Sequence, residues 1–446
     1  RSRALWNQEV GVIETTLKQI LDPKAPASRP ALALPLAYFA FAAASLAAAF
    51  AIVAFAPRSV AGFYYHPRML TVVHLVTLGW ITSSILGTLT MLGPLALQLP
   101  NRAGWADAIG AALYIIGTLG MVSHFYLEAY HGMPWAGAML VAGLAITATR
   151  ALRGLGRSRL PGAIRLHIAL AMVNFLAAAT LGILLAIHKT HPFLPGHVLD
   201  AVAAHAHLAA VGWATLLAVG LSYRLLPMIF PAAVPQGAGP WSTALLLEGG
   251  VVGLVVALLR QSSLATRLSA TLLAVGVAVY LAQVVAMLRQ RRPAPVARPW
   301  PDFAALHVGS ACCCLALAAG VGLLVAWHEP STWRLRAVLA YGALGLVGYL
   351  GQLIVGVKAR MLPLFVWMAA YGGQLAVEPP PSPYRLAPRR LQGAVFALWT
   401  VAFPALVLGL ALDRIPWLAA GAGGLLLATL ADAAAAVLAA RHLARR

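Results

Sequence analysis

His205-Ala206-His207-Leu208-Ala209-Ala210-Val211-Gly212-Trp213, running on to Tyr223-Arg224-Leu225-Leu226-Pro227, sets two imidazoles near one end of a long apolar run. A metal-binding or ionisable side chain inside a bilayer is costly unless partnered, so its default reading is functional. On a helix, residues i and i+2 point about 200° apart, so His205 and His207 face different neighbours.

The pattern occurs twice without a gap. His74-Leu75, Gly79-Trp80, Thr82, Gly87 and Pro94 match His207-Leu208, Gly212-Trp213, Thr215, Gly220 and Pro227. A third, weaker copy keeps Gly348-Tyr349, Gly356, Arg360 and Pro363 but has Ala343 in place of the histidine. Repetition of this kind predicts three related bundles around a common centre.

Composition sets the environment. Of 446 residues, 61% are hydrophobic and 10% charged, more apolar surface than a soluble domain can bury. Runs long enough to span a bilayer fall near 31–56, 69–97, 105–129, 134–150, 163–188, 198–230, 241–259, 266–288, 303–327, 334–367, 391–412 and 416–440. The expected fold is therefore an all-α integral membrane protein of about twelve transmembrane helices. A polar N-terminal segment, 1–30, precedes three four-helix repeats at 31–150, 163–288 and 303–440, which together make one membrane domain. No signal peptide is read in 1–30.

The net charge of +20 lies in short segments between apolar runs, which is a topology signal and argues against a nucleic-acid partner. With both termini inside, cytoplasmic bases outnumber outer ones roughly threefold, as in a multi-pass protein of a bacterial inner membrane. The same orientation puts ten of the thirteen histidines at or below the outer surface, which predicts a metal or metallocofactor there. Cys312, Cys313 and Cys314 are adjacent on one helix, unsuited to a disulfide or zinc, and read as packing residues.

His74 and His207 occupy equivalent positions, and two imidazoles across an apolar slot would make a low-spin haem site, so these two are expected to share one haem. His205 would serve a second haem, a lone metal or a propionate. His66, one helix segment above His74, is a candidate entry-side ligand. His124, Glu128 and His131, at i, i+4 and i+7, could form a metal site, supply a haem ligand or end a helix in solvent. Arg58, Arg68, Arg334 and Arg336 could pair haem propionates or lipid headgroups. Glu248 is the sharpest intramembrane carboxylate, suggesting a proton path, a quinone contact or a buried hydrogen bond.

These residues resemble the haem-copper oxidase subunit I superfamily, a twelve-helix architecture with threefold pseudo-symmetry. His205-Ala206-His207-Leu208-Ala209 with Gly212, Tyr223 and Pro227 is similar to the His-x-His helix of the nitric oxide reductase large subunit. The text from Tyr64-Tyr65-His66-Pro67 to Gly79-Trp80 is closer to stand-alone cbb-type subunit I-like and NnrS-like membrane proteins. The resemblance implies His74 and His207 on one haem b and His205 on a second. The family carries His-x-His on its tenth helix, however, and a histidine pair for copper on its seventh; here the motif is on the sixth and the seventh has no histidine. Copper is accordingly not expected. The leading expectation is a b-type cytochrome, an electron-transfer subunit of an oxidoreductase complex. It would relay electrons between the quinone pool and a periplasmic-side redox subunit, cytochrome c or metalloprotein. The alternatives are a haem enzyme reducing nitric oxide or oxygen, a nitric oxide-binding haem protein without turnover and, last, a transporter.

Overall fold

The computed structural model describes residues 32–94, 104–293, 299–371 and 381–445, so the N-terminal segment 1–30 lies outside the described residues. Twelve helices are long and apolar enough to cross a membrane: α1 (Ala33–Phe55), α2 (Pro67–Leu92), α3 (Trp105–Leu127), α4 (Tyr130–Arg157), α5 (Gly162–His188), α6 (Val198–Ile229), α7 (Ala238–Leu259), α8 (Ser263–Arg289), α9 (Phe303–Trp327), α10 (Thr332–Tyr371), α11 (Arg389–Ala411) and α12 (Ile415–Ala444). Helix is the form that satisfies every backbone polar group within its own segment in lipid, which is why apolar runs of this length fold this way. Several starts are fixed locally. His66 accepts the Arg68 amide ahead of Pro67, and Asp107 accepts the Gly104 amide at the head of α3. Ser262, Asp302 and Ser331 cap α8, α9 and α10.

The same design recurs three times. Each of α2, α6 and α10 contains an eight-residue π-helical segment: Leu75–Thr82, Leu208–Thr215 and Leu344–Gly351. Each segment begins immediately after the repeated position, His74, His207 or Ala343. The three segments touch one another at the centre. Around them α1, α5 and α9 pack on α2, α6 and α10, while α3–α4, α7–α8 and α11–α12 form hairpins. In each hairpin the turn is closed by a non-glycine residue with positive φ: Glu128 (57°), Gln261 (54°) and Asp413 (53°). These are αL helix ends. The ring closes where α4 meets α5, α8 meets α9 and α12 meets α1.

Glycines explain the close approach of first and second helices. A Cβ at Gly79, Gly212 or Gly348 would strike Ser45, Asn174 or Cys314, and one at Gly87, Gly220 or Gly356 would crowd Tyr38, His167 or His307. The paired glycines are eight residues apart, yet the residues they meet are only seven apart. An i→i+5 turn accommodates the additional residue, so the π segment keeps the two helices in register. Cys314 serves in this packing.

Candidate functional site

The main cavity lies between α2, α3, α4, α5 and α6 and is closed at its base by Leu346 and Leu350 of α10. It measures about 110 Å³, several times the roughly 10–15 Å³ that one water needs, so it has room for a group larger than a single water. Two imidazoles project into it, those of His74 and His205. The walls are otherwise almost wholly apolar, with Met121, Phe125 and Met133 on one side and Ala178, Gly182 and Ala186 on the other.

Both rings are oriented by the backbone. His74 Nδ1 lies 2.7 Å from the Leu70 carbonyl, one helical turn earlier, and its ring stacks on Phe125 with centroids 4.8 Å apart. His205 Nδ1 reaches across to the Ala178 carbonyl of α5 at 2.9 Å. A carbonyl only accepts, so each Nδ1 carries the proton and each neutral ring keeps its lone pair on Nε2. Among the described residues no hydrogen bond is made to Nε2 of either ring. Space for the second ring comes from Gly182, where a Cβ would lie 2.9 Å from His205 Cε1. Two neutral imidazoles with free Nε2 lone pairs, Nδ1 atoms held by carbonyls and apolar walls form a donor set that fits a haem iron.

His207 is elsewhere. Its Nδ1 bonds the Ala203 carbonyl at 2.8 Å, and its Nε2 accepts from the Tyr341 hydroxyl at 3.3 Å, with the two rings stacked. The expected partners His74 and His207 do not line one cavity, whereas His74 and His205 do, and the reason is geometric. Tyr341 stands two residues before Ala343, as His205 stands two before His207. In a ring of like units, equivalent residues point the same way round and cannot face each other. The repeated position on one second helix meets the position two residues earlier on the next. Hence His74 meets the cavity of His205, and His207 meets Tyr341.

Other candidates disperse. His66 is an exposed helix cap outside the cavity. Helix α3 stops at Leu127, Glu128 turns left-handed and His131 enters a separate 3-10 turn, so the i, i+4, i+7 face does not exist. His124 bonds the Ala129 carbonyl instead. Among the described residues no group of three or more His, Cys, Asp or Glu is placed to hold a metal ion. Arg68 lies 3.7 Å over the Tyr126 ring, Arg336 pairs with Asp413 at 3.5 Å, and neither these nor Arg58 and Arg334 line the cavity. Glu248 accepts from Asn174 at 2.7 Å, and Asn174 also donates to the Gly212 carbonyl, so the carboxylate is tied to the second π segment and not to the cavity.

Lys189 is the cation that sequence reading passed over. It lines the cavity at the mouth, 4.6 Å from the ring centres of both Tyr65 and Tyr130. Burial lowers its ammonium below the ordinary lysine value, while Glu128 acts in the opposite sense. A signal was present, because Lys189 and Lys358 are the only lysines after residue 31. Lys358 forms a part-buried ion pair with Asp432 between α10 and α12.

Comparison with protein-family models and with curated proteins found no match to this chain.

Proposed function

We propose that the chain is a membrane-bound b-type cytochrome in which His74 and His205 hold a single haem. The observation that carries this reading is the matched pair of Nε2 lone pairs facing one apolar cavity, each fixed by an Nδ1–carbonyl hydrogen bond. The haem would supply one-electron chemistry. The protein orients the two rings, excludes water with Met121, Phe125 and Met133, and offers Lys189 to a carboxylate at the mouth. His207, engaged by Tyr341, is left out of the ligand set, and no second haem is assigned. We place the chain in a bacterial inner membrane with its Arg-rich end in the cytoplasm, relaying electrons between the quinone pool and a redox partner on the opposite face.

A reduced-minus-oxidised spectrum of the purified protein tests this. The wild type should show a low-spin b-type haem unaffected by carbon monoxide, since His74 and His205 would both hold its iron. His74→Ala and His205→Ala should each abolish that signal, and His207→Ala should keep it. Absence of haem from the wild type would overturn the reading, as would loss of haem in His207→Ala with retention in His205→Ala. Reaction with carbon monoxide would instead favour a gas-binding haem protein.

A further inference from the structure

At the Arg-rich end of the bundle a second cavity, also about 110 Å³, opens between the start of α9, the lower part of α10 and the start of α11. Two guanidinium groups line it. Arg360, whose side chain is only 9% exposed, gives Nη2 to Asp302 at 2.5 Å, and among the described residues its Nε is buried with no hydrogen-bond partner. Arg389 donates to the Pro301 carbonyl at 3.0 Å and lies over the Phe303 ring. Asp302 is already committed on both sides, to Arg360 and to the Ala305 amide that it caps.

Two helix N-termini converge on the same space. Asp302, Phe303 and Ala304 begin α9, and Arg389 and Gln392 begin α11, whose N-terminus has no side-chain cap. Helix N-termini and guanidinium groups both favour negative charge. Among the described residues the buried Nε of Arg360 has no acceptor, and Asp302, the carboxylate lining the cavity, is spent elsewhere. Depth identifies the acceptor's source. Trp300, beside the cavity, is 87% exposed, and Trp367 ties down the adjacent loop through the Pro381 carbonyl. Exposed tryptophan at a helix end marks the headgroup level of a bilayer.

We propose that this cavity binds a phosphate-type oxyanion, supplied by the headgroup of an anionic phospholipid of the inner leaflet. The guanidinium groups of Arg360 and Arg389 are its donors, and the site is independent of the haem reading.

Native mass spectrometry of the detergent-purified full chain tests it, with phosphatidylglycerol, phosphatidylcholine and inorganic phosphate as separate titrants. Phosphatidylglycerol should bind in preference to phosphatidylcholine, and Arg389→Gln should weaken it about fivefold, the value of one basic group near a membrane surface. The double variant Asp302→Asn with Arg360→Gln leaves the net charge unchanged while removing the Arg360 guanidinium and its ion-pair carboxylate together, so it too should weaken the preference. Equal binding of the two lipids would overturn the proposal, and so would a double variant that binds like the wild type. Binding of inorganic phosphate without lipid preference would reassign the site to a soluble anion and overturn the lipid source.

Discussion

Gly182→Ala is the smallest change that probes the main cavity, because the added methyl would lie 2.9 Å from His205 Cε1. A displaced imidazole no longer faces its partner, and disturbing the orientation of a ligand typically costs about 10–100-fold in metal affinity. Haem content of Gly182→Ala should fall accordingly, while Gly309→Ala, where a Cβ meets nothing within 4 Å, should match the wild type. Equal haem in both variants would show that His205 is not held by this contact. At this scale the sequence carried half the site. It marked His74 and His205 as functional and separated His205 from His207 by direction alone. It did not bring His74 and His205 to one cavity, because a repeat reveals which positions are alike and says nothing about which positions touch. The left-handed turn at Glu128 was equally hidden, since apolar periodicity runs past the point where α3 ends.

Among the elements, the π segments do the aligning. They let eight residues of α2, α6 and α10 match seven of α1, α5 and α9. Inserting an alanine after Thr77 within Leu75–Thr82 adds a second residue, beyond the one that the π segment absorbs, and should turn His74 by about 100° relative to the glycine face below it. The expected outcome is a protein with undiminished helical circular dichroism and no low-spin haem. A full haem spectrum after the insertion would show that the register of this stretch does not set the direction of His74. The helices themselves were legible, because twelve apolar runs of spanning length admit little else in a membrane. The π segments were not read from the sequence, although the spacings Gly79 to Gly87, Gly212 to Gly220 and Gly348 to Gly356 contain them. Eight is an awkward interval for two glycines on one helical face, and only the seven-residue interval on the partner helices discloses why.

For the whole molecule, the distribution of arginine predicts that both ends lie on one side. Arg150, Arg153, Arg157, Arg159 and Arg165 lie at the same end as Arg289, Arg291, Arg292, Arg385, Arg389, Arg390 and Arg441, since each group joins helices that run to that end. A C-terminal reporter should therefore be active in the cytoplasm and silent in the periplasm; the reverse pattern would invert the molecule and move the proposed lipid site to the outer leaflet. Closure of α12 on α1 makes three joints between like units, and the joints differ only in what fills them. One has two histidines lining a shared cavity, one has histidine bonded to tyrosine, and by register the last sets Ala343 against Val72, both buried. A handed joint of this kind can acquire or lose chemistry without altering the other two, because no residue is shared between them. A backbone that is nearly threefold thus carries its two-histidine cavity to one side of the axis, so under the proposed haem reading a redox partner would approach along a single flank.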